Sequence, residues 1–411
     1  MPGSAPVLPL AGRRVWFVGI GGAGLSAYAL VARARGAEVG GWDRNETPYL
    51  EALRAAGAPV VVAPEPSPPP PGWEVVVGTA YAGQAQGTPR GVFLAELVAA
   101  GPSIVVAGAH GKTTTSSMIA FVLAETGRDP SFIIGGIVPQ LGGNAGAGAG
   151  WLVAEGDESD RSLEQLAPDV AVVLNLDLDH HTEFASLAEV EELFERWLAR
   201  APHAIRGWQL PPVDLALAIP GEHNRRNAAS ALAALELAGV PRQEAAPVLA
   251  RFRGAGRRFD RKGEVRGVTV IDDYGHHPTE VAATIAAARD AGFARVLVLF
   301  QPHLFSRTLH LAHCFGVALA AADAVAVTEI YPAREQPLPG VTGELVVAAV
   351  AETRPGMPLA WTPALADGAR WLARQARPGD AILTVGAGDV ETAGSLVLDE
   401  LARHPGPGAR A

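Results

Sequence analysis

Lys112 and Lys262 are the only lysines among 33 basic side chains, and Lys112 stands in a segment suited to holding phosphate, Gly108-Ala109-His110-Gly111-Lys112-Thr113-Thr114. A β-branched run, Ile104 to Val106, leads into it, and a helical pattern, Ser116 to Leu123, leads out. In such a loop Gly108 and Gly111 let backbone N–H groups curl around a phosphate, the lysine reaches the outer oxygens, and the first hydroxyl, Thr113, can hold a magnesium ion. The chain uses arginine wherever a positive charge alone suffices. A lysine kept here points to a need for a compact ammonium on a flexible stem. The common spacing of this motif puts glycine at 106, where Val106 stands. The segment reads as a nucleoside triphosphate site, against the plainer reading of a Gly-rich strand-to-helix turn.

Further groups lie along the chain, several of them likewise just past an apolar run. Gly19-x-Gly21-Gly22-Ala23-Gly24 follows Val15–Val18, the pattern of a dinucleotide-type turn, and Asp43 ends the next strand 19 residues later, where a ribose or base hydroxyl can be met. A nicotinamide dehydrogenase would use this turn, but a UDP-sugar fits the same diphosphate seat and agrees better with a second nucleotide site at Lys112. Glu155-Gly156-Asp157-Glu158 and Asp177-Leu178-Asp179-His180 follow two more apolar runs, so Glu155 and His180 are expected beside Thr113 as a magnesium cluster; solvated loop charges are the alternative. Asn224 and Asn227 are spaced to share a helix face and read an adenine edge, although an asparagine there also caps helices. Arg257-Arg258, then Asp272-Asp273-Tyr274-Gly275-His276-His277, then Gln301-Pro302-His303 with Arg307, complete the set. Zinc does not suit the His276–His277 pair, since adjacent histidines point apart and no further ligand has the right spacing.

The elements that must carry these groups are strand–turn–helix units. Three recur, starting near Arg14, Gly101 and Gly254, with strands expected at Ala37–Trp42, Glu74–Gly78, Trp151–Ala154, Val170–Asn175, Val268–Ile271, Val296–Phe300, Ala324–Thr328 and Ala381–Val385, and helices near Leu187–Leu198, Asn227–Leu237 and from Pro278. This alternation predicts an α/β fold of three domains with mostly parallel sheets: an N-terminal Rossmann-like domain over 1–100, a central phosphate-loop domain over 101–254, and a C-terminal Rossmann-like domain over 255–411. Pro64 to Pro71 reads as a stiff surface connection and Gly142 to Gly150 as a loop without structure of its own. A hydrophobic content of 48% with 18% charged residues describes a chain that buries several cores. Its net charge of −10 has no basic stripe behind it, which argues against a nucleic-acid partner. The single Cys314 excludes an internal disulfide, and no apolar run approaches the length of a membrane span; a cytoplasmic protein, monomer or homodimer, is expected.

Taken in order, these motifs resemble the Mur ligase family from about Arg14 to Asp389, with DDYGHHPTE and QPHLFSRT the most specific pieces; a shortened loop is normal there, which accounts for Val106. The resemblance implies an ATP- and Mg²⁺-dependent enzyme that joins L-alanine to the carboxylate of UDP-N-acetylmuramate through an acyl phosphate, in peptidoglycan precursor synthesis. It implies that Gly19, Gly21, Gly22, Ala23, Gly24 and Asp43 serve the UDP-sugar. Lys112 would bind the β- and γ-phosphates with the rest of its loop (Gly108, Ala109, His110, Gly111, Thr113 and Thr114), and Thr113, Glu155 and His180 would hold magnesium. Asn224 and Asn227 would face adenine, Asp273 the ribose, and Arg257 the phosphoryl group in transit. Tyr274, His276, His303 and Arg307 would line the alanine and acyl-phosphate site. Three departures from the family stand out: Leu304 where an arginine is common, Thr182 where an acid is frequent, and a short stretch between Phe194 and Pro220. Competing readings are a murein peptide ligase-type recycling enzyme and a nucleotide-binding regulator that has lost ligation.

Overall fold

The computed structural model describes residues 10–158, 161–178, 184, 186–333 and 335–403. These form three sheets in two compact units, one of residues up to 217 with 225–253, the other of 218–224 with the chain from 254 onward.

The first unit contains two sheets. In the first, β1 (Arg14–Val18), β2 (Glu38–Asp43), β3 (Val60–Val62), β4 (Glu74–Val77) and β5 (Thr88–Pro89) are parallel in the order β3-β2-β1-β4-β5. Helices α1 (Ala23–Ala34), α2 (Tyr49–Ala55) and α3 (Arg90–Ala99) belong to it. The order reverses at β1, so the crevice past Val18 opens where the chain runs first to one side and then to the other, the usual ligand position of open α/β sheets. Pro64 to Pro71 forms neither helix nor strand, as the proline density requires.

The second sheet comprises β6 (Ser103–Ala107), β7 (Ser131–Val138), β8 (Gly143–Gly146), β9 (Leu152–Glu155), β10 (Val170–Val173) and β11 (His203–Arg206), in the order β11-β10-β6-β9-β7-β8. Every residue of β6 and β10 is buried, which explains unbroken apolar runs in place of alternation. Helices α4 (Lys112–Glu125), α5 (Leu187–Leu198), α6 (Glu222–Leu237) and α7 (Arg242–Leu249) follow. One expectation is corrected here. The Gly142–Gly150 stretch is not structureless, because Gly143–Gly146 pairs antiparallel with β7. A Cβ at Gly146 would lie 2.3 Å from the Phe132 ring, so the absence of side chains is what admits the strand. That same absence removes the hydrophobic alternation by which a strand is read.

The second unit holds β12 (Asp260–Val265), β13 (Val268–Asp273), β14 (Val296–Phe300), β15 (Ala324–Val327), β16 (Leu359–Trp361) and β17 (Ala381–Val385), in the order β12-β13-β17-β14-β15-β16. Only β12 is antiparallel to its neighbour. Helices α8 (Pro278–Asp290), α9 (Phe305–Leu319), α10 (Glu344–Thr353) and α11 (Leu365–Gln375) separate the strands from β13 onward, and α12 (Ala393–Arg403) follows the last. Proline opens α8, where its missing N–H costs nothing, and the Glu280 carboxylate accepts the His277 N–H at 3.2 Å.

Candidate active site

The loop after β6 turns on two residues in backbone conformations that favour glycine, Gly108 at φ +123° and Gly111 at φ +85°. Both are also sterically confined. A Cβ would stand 3.0 Å from the Leu174 nitrogen at the first and 2.6 Å from Asn227 Oδ1 at the second. Asn175, just past β10, holds the loop from the side. Its side-chain oxygen accepts the His110 N–H and its amide donates to the His110 carbonyl, both at 2.9 Å. His110 Nε2 in turn lies 3.0 Å from an Asp177 carboxylate oxygen. The loop is thereby shaped in advance, with the N-terminus of the 14-residue helix α4 behind it.

Lys112 is the first residue of that helix, and its ammonium folds back over the loop. It donates to the Gly108 carbonyl at 2.6 Å and lies 3.1 and 3.2 Å from the two oxygens of Glu158, a carboxylate only 4% exposed. Burial works against the lysine's charge, but Glu158 and, further off, Asp157 and Glu155 outweigh it and hold the ammonium above the ordinary lysine range. The Thr113 hydroxyl donates to Glu155 Oε2 at 3.1 Å, and the Gly135 N–H donates to Glu155 Oε1 at 2.5 Å. Gly135 leaves room there, since a Cβ would come within 3.2 Å of both carboxylate oxygens and 3.4 Å of the Thr113 hydroxyl. A hydroxyl and a carboxylate converging beside a phosphate loop are hard oxygen donors of the kind magnesium selects. Thr113 and Glu155 are thus brought together; His180, expected as their companion, and Thr182 lie outside the described residues.

In the first sheet, Gly19 at φ +93° starts the turn after β1, and its N–H and that of Ile20 both donate to the Trp42 carbonyl. Each of the first two glycines makes room for a particular neighbour. A Cβ at Gly19 would meet the Tyr81 ring at 2.8 Å, and one at Gly21 the Asp43 carboxyl at 2.9 Å. Asp43, expected to meet a ligand hydroxyl, accepts the Gly21 N–H at 2.8 Å and the Asn45 N–H at 3.1 Å, so here it shapes the turn. Gly22 precedes α1 in extended backbone and Ala23 is its first residue. Tyr81 packs edge-on against Trp42 with ring centroids 5.0 Å apart, and Arg44 lies over its face.

Two residues the sequence did not single out tie the helices of the first sheet to the second sheet. The amide of Asn144, on β8, donates to the Ala23 carbonyl at 2.7 Å. Arg90, the first residue of α3, pairs with Asp157 in the carboxylate loop after β9. Gly91 beside it is pressed onto Ser162, where a Cβ would approach to 2.4 Å. The only hint of either contact in the sequence is a polar residue amid glycines (Asn144) and an arginine at a helix start (Arg90).

The second unit gathers residues from three strand ends and the loops around them. At the end of β13, Asp273 accepts hydrogen bonds from the Phe259 and Gly275 N–H groups and the Thr284 hydroxyl, at 2.8, 2.9 and 2.9 Å. Burial pushes its carboxyl up from the usual range, against the Arg258 charge and these hydrogen bonds. Arg257, at φ +59°, donates through Nε to Asp272 at 3.1 Å and through Nη2 to the Gly386 carbonyl at 2.7 Å, and lies over the Tyr274 ring. The Tyr274, His276 and His303 rings form a chain of edge contacts, 5.3 and 5.7 Å between centroids. Arg307 is only 5% exposed and places Nη1 3.0 Å from His303 Nδ1. A guanidinium has no acceptor, so that ring nitrogen accepts and the His303 proton sits on Nε2. The expected cluster Tyr274, His276, His303 and Arg307 is therefore assembled within one unit. Tyr331, stacked on His303 at 5.9 Å, joins it unannounced by any sequence motif. Leu304 takes φ +69°, ψ +135°, a strained backbone for a branched side chain. Of the two asparagines, Asn227 abuts the phosphate loop in the first unit, and Asn224, in the second, donates to the Pro220 carbonyl at 2.6 Å.

Comparison with known proteins matches three successive parts of the chain to three family models. Residues 14–89 match the model described as Mur ligase family, catalytic domain; 106–205 match the Mur ligase middle domain; and 257–388 match the Mur ligase, glutamate ligase domain. The UDP-N-acetylmuramate–L-alanine ligase of Streptomyces coelicolor is 42% identical, the alignment covering 97% of this chain and all of that protein. Among solved structures, the UDP-N-acetylmuramate–alanine ligase of Thermotoga maritima superposes with a TM-score of 0.76 at 24% identity over 95% of this chain and 100% of the other. A murein peptide ligase of Psychrobacter arcticus reaches 0.64 at 22%, over 96% and 100%. At those identities the two structures speak to the fold alone; the relative of 42% identity carries the family.

Proposed function

The chain belongs to the Mur ligase family, and from that premise we propose that its two groups of strand-end residues share one ATP-dependent ligation, joining L-alanine to the carboxylate of UDP-N-acetylmuramate for peptidoglycan precursor synthesis. The observation that supports this reading best is Lys112 folded over a loop shaped by Gly108, Gly111 and Asn175, with Thr113 and Glu155 converging beside it. In this reading the loop N–H groups and Lys112 bind the triphosphate, and the ammonium exchanges Glu158 for phosphate oxygens. Thr113 and Glu155, with His180, would hold a magnesium ion, which when bound neutralises charge on the phosphates. The Gly19–Gly24 turn and the N-terminus of α1 seat the diphosphate of the UDP-sugar.

The muramoyl carboxylate attacks the γ-phosphorus of ATP, the bond to the β-phosphate breaks and ADP leaves, giving an acyl phosphate; the alanine amine then attacks its carbonyl carbon, gives up a proton, and phosphate leaves. Negative charge concentrates in both steps, so what the chain supplies is position and positive charge. Arg307 binds the alanine carboxylate, Arg257 steadies the phosphoryl group, and Tyr274, His276 and His303 wall the acceptor site. The reaction is assigned to the cytoplasm, where ATP is available. Phosphate release measured with purified protein tests the proposal: release should require ATP, UDP-N-acetylmuramate and L-alanine together. Release that is indifferent to L-alanine, or that needs a peptide in its place, would refute it.

A further inference from the structure

The chain beyond β15 returns to the acceptor site and lies along residues 302–306. Tyr331 N–H donates to the Pro302 carbonyl at 2.8 Å, and Leu304 N–H donates to the Tyr331 carbonyl at 3.0 Å. The Glu335 carboxylate then takes both donors of Ser306, the backbone N–H at 2.9 Å and the hydroxyl at 2.5 Å. Glu335 N–H donates to the Pro332 carbonyl at 2.9 Å. A carboxylate set against the N-terminus of a 15-residue helix is favoured by the helix dipole as well as by its hydrogen bonds. Its effect reaches the site through one ring. Tyr331 lies parallel to His303, 12° between planes, and on its other flank Gly388 makes way for it, since a Cβ there would be 2.4 Å from Tyr331 Cγ. His303 in turn receives the Arg307 guanidinium on Nδ1.

We propose that Glu335 is a positioning residue for the acceptor site: by anchoring the chain that carries Tyr331 to the start of α9, it sets the plane of His303 and so the aim of Arg307. This rests on the reading of Arg307 as the partner of the alanine carboxylate. With leucine at 304, that reading leaves a single guanidinium in this segment to fix the substrate, so its orientation carries more weight.

The test is steady-state kinetics of the full chain with each substrate varied in turn, alongside melting temperatures. Glu335→Ala should raise the KM for L-alanine about tenfold, the scale on which a small misplacement acts, while the KM values for ATP and UDP-N-acetylmuramate stay within about twofold. Glu335→Gln keeps one acceptor oxygen and should fall between. Tyr331→Phe keeps the stacked ring and should raise the alanine KM less than Tyr331→Leu, which should reproduce Glu335→Ala. Combining Tyr331→Leu with Glu335→Ala should add little, because both act through one contact. The proposal is overturned if Glu335→Ala leaves the alanine KM unchanged while Arg307→Ala raises it. It is equally overturned if all three KM values and the melting temperature move together, the sign of a structural role only. If Arg307→Ala also leaves the alanine KM unchanged, the reading of the acceptor site has failed, and this inference with it.

Discussion

The phosphate-type loop of the first unit and the proposed acceptor site of the second are both strand-end sites, but they are specified in opposite ways. Around Lys112 the backbone does most of the work: two positive-φ glycines, a helix N-terminus and an asparagine that grips the main chain. Around Arg307 the specification lies in side chains drawn from the segments after β13, β14 and β15, in edge and stacked ring contacts. A site of the first kind tolerates almost no change in its few positions. A site of the second kind spreads its geometry over many contacts, so single changes there should be graded and confined to one substrate.

The sharpest way to break this contrast is at Lys112. Lys112→Ala should abolish turnover and leave UDP-N-acetylmuramate affinity nearly unchanged, as read by calorimetric titration. Lys112→Arg should be severely impaired too, because the ammonium lies 2.6 Å from the Gly108 carbonyl, a fit the broader planar guanidinium cannot copy. An arginine variant with near wild-type rate would mean that charge alone is what the loop needs. Next in size is Glu155→Ala, which should raise the magnesium concentration for half-maximal rate by about tenfold or more. Unaltered magnesium dependence would reduce Glu155 to a hydrogen-bond partner of Thr113 and Gly135. The smallest effect sharpens the backbone side of the contrast. Gly127, at φ +72°, has open space around it, whereas Gly111, at φ +85°, has Asn227 Oδ1 within 2.6 Å of a Cβ. Gly127→Ala should cost about 1–2 kcal/mol of strain alone, and Gly111→Ala more. Equal losses in chemical denaturation would show that Asn227 simply yields.

The same contrast explains what could be read in the sequence. Glycine requirements are local, so the Gly108–Gly111 and Gly19–Gly24 turns, their strands and the helices after them were legible from spacing, as were the parallel sheets. The cluster of Tyr274, His276, His303 and Arg307 was legible only through its resemblance to a family, since nothing local says that residues 274 and 303 meet. Tyr81, Arg90, Asn144, Tyr331 and Glu335 went unnoticed because each acts through a partner far away in the chain, and none belongs to a periodic pattern. Strand β8 was hidden by its own composition: glycine carries no side chain to alternate. Asp43 shows a related ambiguity, because a carboxylate that pins a glycine turn and one that meets a ribose occupy the same place in a sequence.

The central claim is that the phosphate loop activates a carboxylate by phosphoryl transfer, and following oxygen tests it most directly. UDP-N-acetylmuramate carrying ¹⁸O in its muramoyl carboxylate would be turned over with ATP and L-alanine, and the released phosphate analysed by mass spectrometry. Attack of that carboxylate on the γ-phosphorus, followed by departure of phosphate from the carbonyl, transfers one labelled oxygen to each phosphate released. Labelled phosphate in step with product is the predicted result. Product formed with unlabelled phosphate would contradict the account.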